Sequence, residues 1–553
     1  MKNRDMSRRA FTCGSAAAIT CAAGLGAMNA FADEPSNDWE PAAWDYETDF
    51  VIVGYGAAGA CAAITVKSEE LGDAIVLEVA PPEYEGGNTR VSGNIIFNVD
   101  TVEGAFDYQK ELNGEYAVDD EMLQAWAEAL GENVPWLESL GADMQVIPRA
   151  AEFATAPAAD QVKIYCVDGQ YGNGSLWKFL KSIESQWDYR VINNARVTSL
   201  VRNPSTNEAC GAIAELEDGS EIAVKARKAV ILACGGYENN PEIVRNNYQS
   251  GTPRNGYFGT PYNRGDGFKL VGPFGAALWH MNSYSGGHLG ARLYEEGFTN
   301  KIAPSGKGWI YVGADNTRFM YEETSGIQRH GKIKFHGVYM NYPMPDPVHL
   351  IMGAAAFEEA SPFISLDTLY WPSQNGMVPE EGLTAEALLE TGMVAKADTI
   401  EELAEQIGRD PNALAATVAQ YNEYCAQGVD PDFHRGEPYY EYGHTGIGGG
   451  DEGAELATEE VEVIRAFDLV PLEGPFYAIE MRATYINTQG GPKRNKFCQI
   501  VDCNDNPIPR LYGTGEFGSI YGYEYNGGGN IAEAIASGRV AARHAATLDA
   551  WDA

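Results

Sequence analysis

Three glycines near the start of the chain have the spacing of a turn that holds phosphate groups. An apolar run, residues 50–53, follows Asp49 and leads directly into Gly54. Gly56 and Gly59 follow, and a helix of small residues begins there. Gly54 permits the tight turn, Gly56 lets the backbone approach a pyrophosphate, and Gly59 lets the helix pack against the strand. This chemistry requires a strand, a turn and a helix in that order, and the sequence predicts all three.

The neighbouring elements extend the predicted site from the phosphates to a ribose. The helix after the turn presents its N-terminus, at Ala57 and Ala58, to a bound phosphate. A second apolar run, residues 74–77, ends at Glu78, about where a carboxylate bonds a ribose hydroxyl in this type of fold. Together the glycines, the strands and the terminal acid predict that the chain binds a dinucleotide.

A second glycine-rich segment favours a flavin dinucleotide over a nicotinamide one. It reads Gly-Gly-Asn-Thr over residues 86–89 and Ser-Gly-Asn over residues 92–94. A flavin requires such a loop, because its ring lies well beyond the pyrophosphate and donors must reach N5 and the ring edge. We therefore predict FAD. The predicted ligands in this segment are Gly87, Asn88, Thr89, Ser92, Gly93 and Asn94.

A later buried strand adds to the same predicted site. Residues 229–234 are apolar, and they end at Gly235 and Gly236, which we include among the FAD ligands. Alternating polar and apolar residues predict further strands before it, over about residues 190–225.

The C-terminal segment completes the predicted FAD site. Residues 511–515 form a strand and turn that lead to Glu516, which is placed to bond the ribityl hydroxyls of the cofactor. Glycines at 527–529 then open a last helix through Asn530 and Ile531. The N-terminus of this helix would face the carbonyl edge of the flavin, where the helix dipole favours negative charge on the reduced ring.

With these motifs the chain resembles the fumarate reductase flavoprotein superfamily, which includes flavocytochrome c fumarate reductases, urocanate reductase and 3-ketosteroid dehydrogenases. The resemblance spans about residues 47–545. Beyond the FAD motifs it rests on four segments, Arg264-Gly265-Asp266-Gly267, Arg318-Phe319-Met320-Tyr321-Glu322, Asp410 through Asn422, and Gly474-Pro475-Phe476-Tyr477-Ala478. Asp266 joins the FAD ligands that the resemblance implies.

The resemblance implies an α/β fold of two domains. A Rossmann-like FAD-binding domain, with a parallel sheet and a β-meander, is expected at residues 44–300 and 486–553. An α+β capping domain is expected between these segments, at residues 301–485, with the active site where the two domains meet. Within the cap, the glycine-rich and acidic segment from Gly443 to Glu462 is expected to be a solvated loop.

The chain departs from the fumarate reductase pattern where that family binds the carboxylates of its substrate. Asn487 stands in place of a histidine, Asn526 stands in place of an arginine, and the proton-donating arginine aligns with Gly326. Arg329 and His330 lie just beyond and are candidates to replace it. Because bidentate arginine recognition is how a pocket selects a carboxylate, these departures predict a less anionic substrate.

Tyr525, Gly527 and Gly529 are similar to a ketosteroid dehydrogenase pattern, in which a tyrosine hydroxyl and a glycine amide bind the substrate's carbonyl oxygen. Carried over, the pair is Tyr525 and Gly529. We predict hydride transfer from flavin N5 to the β-carbon of a C=C bond conjugated to a carbonyl, in a small enone or acrylate-type substrate. Arg329, His330 and Tyr321 are the candidates to protonate the α-carbon.

Two alternatives stay open from the sequence. The same groups can catalyse the reverse reaction, in which case the protein would be a 3-ketosteroid-type dehydrogenase. A different class of function is a flavin-retaining electron-shuttle or binding protein without turnover of its own. The FAD is expected to be non-covalent, because no attachment signal is evident.

Composition and charge exclude several other functions. The chain has 553 residues and a formal net charge of −39, so a phosphate backbone or an anionic lipid surface would repel it, and no nucleic-acid partner is expected. Seven cysteines follow residue 32 without Cys-x-x-Cys spacing, so no metal, iron–sulfur or c-type haem site is expected. A hairpin disulfide between Cys498 and Cys503 stays open.

Because the sequence predicts no haem or iron–sulfur site, electrons must be exchanged with an external partner, such as a quinol system or a cytochrome. An acidic surface suits a cationic partner.

The N-terminus resembles a twin-arginine export signal. It reads Ser-Arg-Arg-Ala-Phe over residues 7–11, followed by an Ala/Gly-rich stretch and a small-x-small site before Asp33. Glycines and polar residues dilute this stretch below the continuous apolar span of about 20 residues that a membrane helix needs. We therefore expect residues 1–32 to be removed and the mature protein to be periplasmic or at the cell surface, in contact with a membrane only through a redox partner.

Overall fold

The computed structural model describes residues 39–552 except for 117, 150, 154, 173, 249–254, 295–296, 301, 303–307, 321, 323–328, 337, 359–369, 379–382 and 436–468. The elements before residue 195 are β1 (Tyr46–Val53), α1 (Ala57–Ser68), β2 (Ala74–Leu77), α2 (Gly87–Val91), β3 (Ile96–Val99), α3 (Val102–Asn113), α4 (Asp120–Gly131), α5 (Asn133–Ser139), β4 (Met144–Ile147), β5 (Val162–Val167), α6 (Ser175–Ile183) and β6 (Arg190–Ile192).

The elements between residues 195 and 375 are β7 (Ala195–Arg202), β8 (Ala209–Leu216), β9 (Glu221–Leu232), α7 (Pro241–Asn247), β10 (Gly256–Tyr257), α8 (Gly267–Val271), β11 (Leu278–Trp279), β12 (Tyr284–Arg292), β13 (Thr299–Asn300), β14 (Trp309–Val312), β15 (Lys332–Phe335), β16 (Val338–Asn341), β17 (Val348–Met352), α9 (Ala354–Glu358) and α10 (Trp371–Gln374). The last elements are α11 (Ala385–Glu390), β18 (Val394–Ala397), α12 (Ile400–Gln406), α13 (Pro411–Gln427), β19 (Phe476–Thr488), β20 (Gly491–Pro492), β21 (Gln499–Val501), β22 (Pro507–Gly513) and α14 (Gly529–Ala546).

The first sheet has a parallel centre. Its strands are ordered β21-β22-β9-β1-β2-β6, and the pairs β22–β9, β9–β1, β1–β2 and β2–β6 are parallel. β7, β8 and β9 form an antiparallel meander at one side. Strands of a parallel sheet are covered on both faces, which is why β1 and β2 are runs of buried apolar residues. The predicted parallel sheet with a β-meander is confirmed.

Two helices of small residues pack closely against each other beside this sheet. α1 and α14 approach so closely that a Cβ at Gly538 of α14 would overlap the carbonyl oxygen of Ala58 in α1. Small side chains permit this approach of two backbones. The closeness matters for the site, because both helices begin at the same edge of the sheet.

A second sheet is built around the long strand β19. Its strands are ordered β13-β12-β19-β17-β14, and β10 and β18 also pair with β19. Its strands contribute to a separate apolar core with α9 and α11. β10 and β12 precede residue 301, so the second sheet begins earlier along the chain than the predicted cap; the predicted division into domains stays a prediction.

The helix predicted from Asp410 has clear local signals. The Asp410 side chain accepts a hydrogen bond from Ala413 N at 2.9 Å, and Pro411 occupies the first helical position. The helix runs to Gln427 and stops at Gly428, whose φ is +70°.

Among the described residues, no helix combines the length and apolarity needed to cross a membrane.

Cys498 and Cys503 are both free thiols, the first buried and the second exposed. The hairpin disulfide between them is therefore not formed. The proposed export signal lies outside the described residues, as does the segment from Gly443 to Glu462.

Candidate active site

A large cavity opens where the parallel strands of the first sheet end. The carboxyl ends of parallel strands meet at one edge of a sheet, and ligands of α/β proteins bind there. The predicted FAD ligands that line this cavity are Gly54, Gly56, Ala57, Ala58, Glu78, Gly87, Asn88, Thr89, Ser92, Gly93, Asn94, Gly235, Asp266, Glu516, Asn530 and Ile531. Segments far apart in the chain are thus brought to one place.

Gly59 and Gly236 do not line the cavity and instead permit close packing. A Cβ at Gly59 would overlap the carbonyl oxygen of Gly54, so this glycine lets α1 lie against the end of β1. A Cβ at Gly236 would overlap the hydroxyl of Thr488 and lie 2.5 Å from Oε2 of Glu238. Both residues therefore influence the shape of the cavity wall without lining the cavity.

The turn between β1 and α1 has the geometry that a pyrophosphate requires. Gly54 has φ +100°, and a Cβ there would overlap the carbonyl oxygen of Ala233. A Cβ at Gly56 or at Gly87 would meet no atom closer than 3.6 Å. Since both glycines line the cavity, the space that a side chain would fill is available to a phosphate group, and the residues present fit FAD.

Glu78 is held rigidly at the end of β2. Its carboxylate accepts hydrogen bonds from the backbone N–H of Tyr55 at 2.6 Å and of Ala80 at 2.7 Å. Burial raises the pKa of Glu78, although these backbone bonds oppose the shift. The acid therefore stands at the expected position, with its orientation set by the main chain.

Glu516 and Glu238 form a buried carboxyl pair deeper in the site. They share the side-chain amides of Asn88 and Asn263 as donors: each amide lies 2.9 Å from Glu238 Oε1 and 3.2–3.3 Å from Glu516 oxygens. Burial raises the pKa of both carboxyls, and the mutual repulsion raises that of Glu516 further. Two acids so placed disfavour a double negative charge.

The start of α14 supplies the wall where the flavin ring is expected. Asn530 Nδ2 donates to Asn487 Oδ1 at 3.1 Å, which joins the two residues across the cavity wall. Asn530 Oδ1 is buried and has no hydrogen-bond partner among the described residues. A buried acceptor of this kind is costly unless a ligand donor meets it, so it too fits a flavin ring N–H.

Tyr525 and His330 also line the cavity, and they contact each other. Tyr525 is 6% exposed and His330 is 1% exposed. Their rings stack, with centroids 4.4 Å apart and planes 17° apart. A buried serine lies between their polar atoms: the Tyr525 hydroxyl donates to Ser285 Oγ at 2.7 Å, and Ser285 Oγ is 2.8 Å from His330 Nδ1. Ser285 belongs to no motif, so sequence reasoning missed it.

Gly529 does not line the cavity, and its amide has another partner. Its N–H donates to the carbonyl oxygen of Asn526 at 2.8 Å. A Cβ at Gly529 would lie 2.9 Å from the Tyr521 hydroxyl and 3.0 Å from Tyr525 Cδ2. The structure thus places Gly529 as the residue that makes room for the Tyr525 ring; its predicted role as a donor to substrate requires this amide to change partner.

Asn526, which replaces the family's arginine, acts as a brace. Its Oδ1 accepts from the Tyr108 hydroxyl at 2.7 Å and from the backbone N–H of Glu152 at 2.8 Å. The Glu152 carboxylate in turn accepts from Gly527 N at 2.7 Å. Asn526 is 2% exposed and does not line the cavity, so its amide holds the turn before α14 rather than facing a ligand.

Arg149 is a cavity residue that sequence reasoning missed. It lies beyond β4 in a segment without a motif, and its guanidinium lies 5.0 Å from the centroid of the Tyr171 ring, which also lines the cavity. Arg196 lines the cavity as well, but it is paired with Asp266. Arg149 therefore brings a positive charge to the cavity wall.

Arg318 and Glu322 of the Arg-Phe-Met-Tyr-Glu segment belong to a buried ion network, and neither of them lines the cavity. Arg318 donates to Glu322 and to Asp430 at distances of 2.5–3.1 Å, and Arg435 contributes a longer bond to Glu322 at 3.4 Å. Arg329 begins a 3-10 turn, Arg329–Gly331, but its side chain lies outside what the structure describes, as does Tyr321.

Comparisons with known proteins agree with this geometry. Residues 49–531 match the model of the FAD binding domain family named FAD_binding_2. Digoxin reductase from Eggerthella lenta is 25% identical over 99% of this chain and 98% of its own length. The probable fumarate reductase Ifc3 from Shewanella frigidimarina is 25% identical over 90% of this chain and 75% of its own.

A solved structure shows the same fold. The 3-ketosteroid Δ1-dehydrogenase from Sterolibacterium denitrificans, in complex with 1,4-androstadiene-3,17-dione, superposes with a TM-score of 0.66 at 20% identity, over 90% of this chain and 99% of that one. The predicted superfamily and the predicted FAD are confirmed. The chain belongs to the FAD_binding_2 family and is an FAD-dependent oxidoreductase that acts on CH–CH groups.

Proposed function

We propose that this protein reduces the C=C bond of a small α,β-unsaturated carbonyl compound, an enone or an acrylate-type molecule. Bound FAD supplies the hydride, from N5, to the β-carbon of the substrate. The chain's own residues hold the carbonyl oxygen, exclude water and deliver the proton. Relatives named urocanate reductase, NADH:acrylate oxidoreductase and vinyl phenol reductase support reduction of a C=C bond as the reaction.

The observation that carries this proposal is the position of Tyr525. Its ring lines the cavity directly before α14, next to the residues that fit the flavin. Hydride addition to the β-carbon leaves negative charge on the carbonyl oxygen, and a preformed hydroxyl donor stabilises that charge. The Gly529 amide is the second proposed donor, once it releases the Asn526 carbonyl.

The proton for the α-carbon comes from the segment around residues 321–330 in this proposal. Among the residues of this segment that the structure describes, His330 lines the cavity. Arg329 and Tyr321 stay candidates from the sequence, since the structure does not describe their side chains.

A dehydrogenase running the reverse reaction is the second candidate. It is favoured by the ketosteroid-type pattern of Tyr525, Gly527 and Gly529 and by relatives named 3-oxosteroid 1-dehydrogenase. The flavin potential and the electron partner set the direction. We propose an external quinol system or cytochrome as that partner, export through the twin-arginine signal, and non-covalent FAD. A flavin-retaining protein without turnover is disfavoured by the family's oxidoreductase activity.

The test is the substitution Tyr525→Phe. We expect turnover to fall by about 10²–10³, the usual loss when one donor to a developing oxyanion is removed, with FAD content unchanged. The measurement is reoxidation of the chemically reduced enzyme by a panel of enones and acrylates, followed by flavin absorbance.

Tyr521→Phe is the matched control. Tyr521 is buried, its ring centroid lies 5.2 Å from that of Tyr525, and it does not line the cavity. Its substitution should leave turnover within about twofold. Unchanged turnover in Tyr525→Phe, or an equal loss in both variants, would remove Tyr525 from the mechanism.

A further inference from the structure

Ser285 is fully buried and joins Tyr525 to His330. It accepts from the Tyr525 hydroxyl at 2.7 Å and lies 2.8 Å from His330 Nδ1. The rings of Tyr525 and His330 stack, which fixes the positions of these two residues relative to each other on either side of Ser285. Tyr525 and His330 line the cavity, whereas Ser285 lies behind it.

The backbone around Ser285 is irregular in a way that orients its side chain. Ser285 is the cross-strand partner of Asn487, and the register between β12 and β19 shifts immediately after it, at Gly286. Bulges of this kind re-aim side chains next to active sites. Gly286 has φ +142°, and a Cβ there would lie 2.6 Å from the carbonyl oxygen of Thr484.

His330 is held in a conformation that side chains rarely adopt. Its φ is +58°, in the left-handed region. A non-glycine residue costs free energy there and persists when its surroundings determine its position, which is a feature of functional sites. The strained turn and the shifted strand together bring His330 Nδ1 to Ser285 Oγ.

We propose that Ser285 is a positioning residue that passes a hydrogen bond from His330 to Tyr525 and so turns the Tyr525 hydroxyl towards the substrate; this inference rests on the proposed function. In the structure the Tyr525 hydroxyl donates to Ser285. For Tyr525 to donate into the cavity, Ser285 must switch from acceptor to donor. It can do so because a serine hydroxyl both donates and accepts, and because His330 donates to Ser285 when its proton is on Nδ1.

The series of hydrogen bonds from His330 through Ser285 also makes the Tyr525 hydroxyl a stronger donor. Successive hydrogen bonds polarise each other in a buried site, so a Tyr525 oxygen that accepts from Ser285 is a better donor to a carbonyl oxygen. No covalent bond changes in this step: with the His330 proton on Nδ1 throughout, the Ser285 and Tyr525 hydroxyls rotate, the hydrogen bond between them reverses direction, and the proton count of each side chain is conserved.

The first test compares Ser285→Ala with Ser285→Thr in the FAD-loaded enzyme. We expect Ser285→Ala to lower kcat about tenfold, which corresponds to about 1.4 kcal/mol of transition-state stabilisation, with KM within about twofold. Ser285→Thr keeps the hydroxyl and should restore most of kcat. Ser283→Ala, a buried serine two residues away whose hydroxyl donates to Tyr523 O, is the matched control and should change neither constant.

A double variant separates positioning from a general structural loss. Ser285→Ala added to Tyr525→Phe should lower the residual turnover by less than about twofold, because the hydrogen bond then has no hydroxyl to orient. Independent, additive losses would overturn the proposal. If Tyr525→Phe itself leaves turnover unchanged, the proposed function fails; if only Ser285→Ala leaves it unchanged, the relay alone fails.

A spectroscopic readout does not depend on turnover. With ¹⁵N-labelled histidine, the His330 signals are assigned by their loss in His330→Gln, among the eight histidines of the chain. We expect Ser285→Ala to shift the His330 Nδ1 resonance, Ser285→Thr to restore it, and Ser283→Ala to leave it in place. An Nδ1 resonance that is the same in wild type and Ser285→Ala would show that the bond does not exist in solution.

Discussion

At the scale of single residues, we expect Arg149 to affect whether the cavity favours a charged or a neutral substrate. It is half-buried, lines the cavity, and has no carboxylate partner among the described residues. A guanidinium recognises a carboxylate far better than a neutral carbonyl. Arg149 therefore bears on the choice between an acrylate and an enone, which the losses at Asn487 and Asn526 leave open.

We predict that Arg149→Ala weakens binding of acidic substrates selectively. KM for a carboxylate-bearing acrylate should rise about tenfold, in the range of one charge-assisted hydrogen bond, while KM for its methyl ester changes by less than about twofold. The measurement is kcat/KM for the acid and the ester with each enzyme. Equal losses for both substrates would show that Arg149 acts on the shape of the cavity or on the cofactor rather than on substrate charge.

At the scale of elements, the carboxyl pair follows from the order of the strands. Glu238 lies in the turn after β9 and Glu516 in the turn after β22, and these strands are parallel neighbours. Parallel neighbours end at the same edge, so residues that follow them meet even when they are distant in sequence. Burial raises the pKa of Glu238, so folding favours its protonated form.

This pair predicts a pH-dependent stability of the FAD-free protein. A carboxyl whose pKa is raised on folding binds more protons in the native state, so its contribution to stability is present below about pH 4.3 and is lost as pH rises through the folded pKa. Glu238→Gln should remove roughly 1–3 kcal/mol of this dependence, at about 1.4 kcal/mol per pKa unit. The measurement is denaturant unfolding of wild type and variant between about pH 4.5 and pH 8. Parallel pH profiles for the two proteins would contradict the prediction.

At the scale of the whole molecule, the formal net charge of −39 favours the approach of cationic electron donors. A strongly acidic protein attracts cationic partners over a distance set by the Debye length, which falls from about 30 Å at 0.01 M salt to about 3 Å at 1 M. We predict that reduction of the bound flavin by the cationic methyl viologen radical slows severalfold over this range. Reduction by dithionite, an anion, should become faster instead. Stopped-flow flavin absorbance measures both, and a viologen rate independent of salt would exclude electrostatic steering.

The FAD side of the site could be predicted well from the sequence. Gly54 has the positive φ that its place in the motif requires, and Glu78 stands at the end of β2. Local steric rules are sufficient for such features, because a turn, a strand end and a helix start are each decided by a few consecutive residues.

The substrate side could be predicted only in part. Tyr525 and His330 line the cavity as anticipated from family motifs and position, but Gly529 does not line it. From the sequence, Asn526 marks a lost substrate contact; the structure adds that its amide oxygen accepts hydrogen bonds from Tyr108 and from the backbone of Glu152. The family motif places Asn526 correctly in the turn before α14, but it does not show the direction of the side chain.

What the sequence determined by itself was therefore the nucleotide-binding half: the fold, the cofactor and the residues at the strand ends, all carried by short-range patterns. Only the tertiary structure decided the side of the cavity where the substrate is proposed to bind. There Ser285 contacts Tyr525, which lies 240 residues away along the chain, and Arg149 lines the cavity from a segment without a motif. That side of the cavity depends on the pairing register of β12 and β19, and a register is a property of two strands together. No single stretch of chain encodes it.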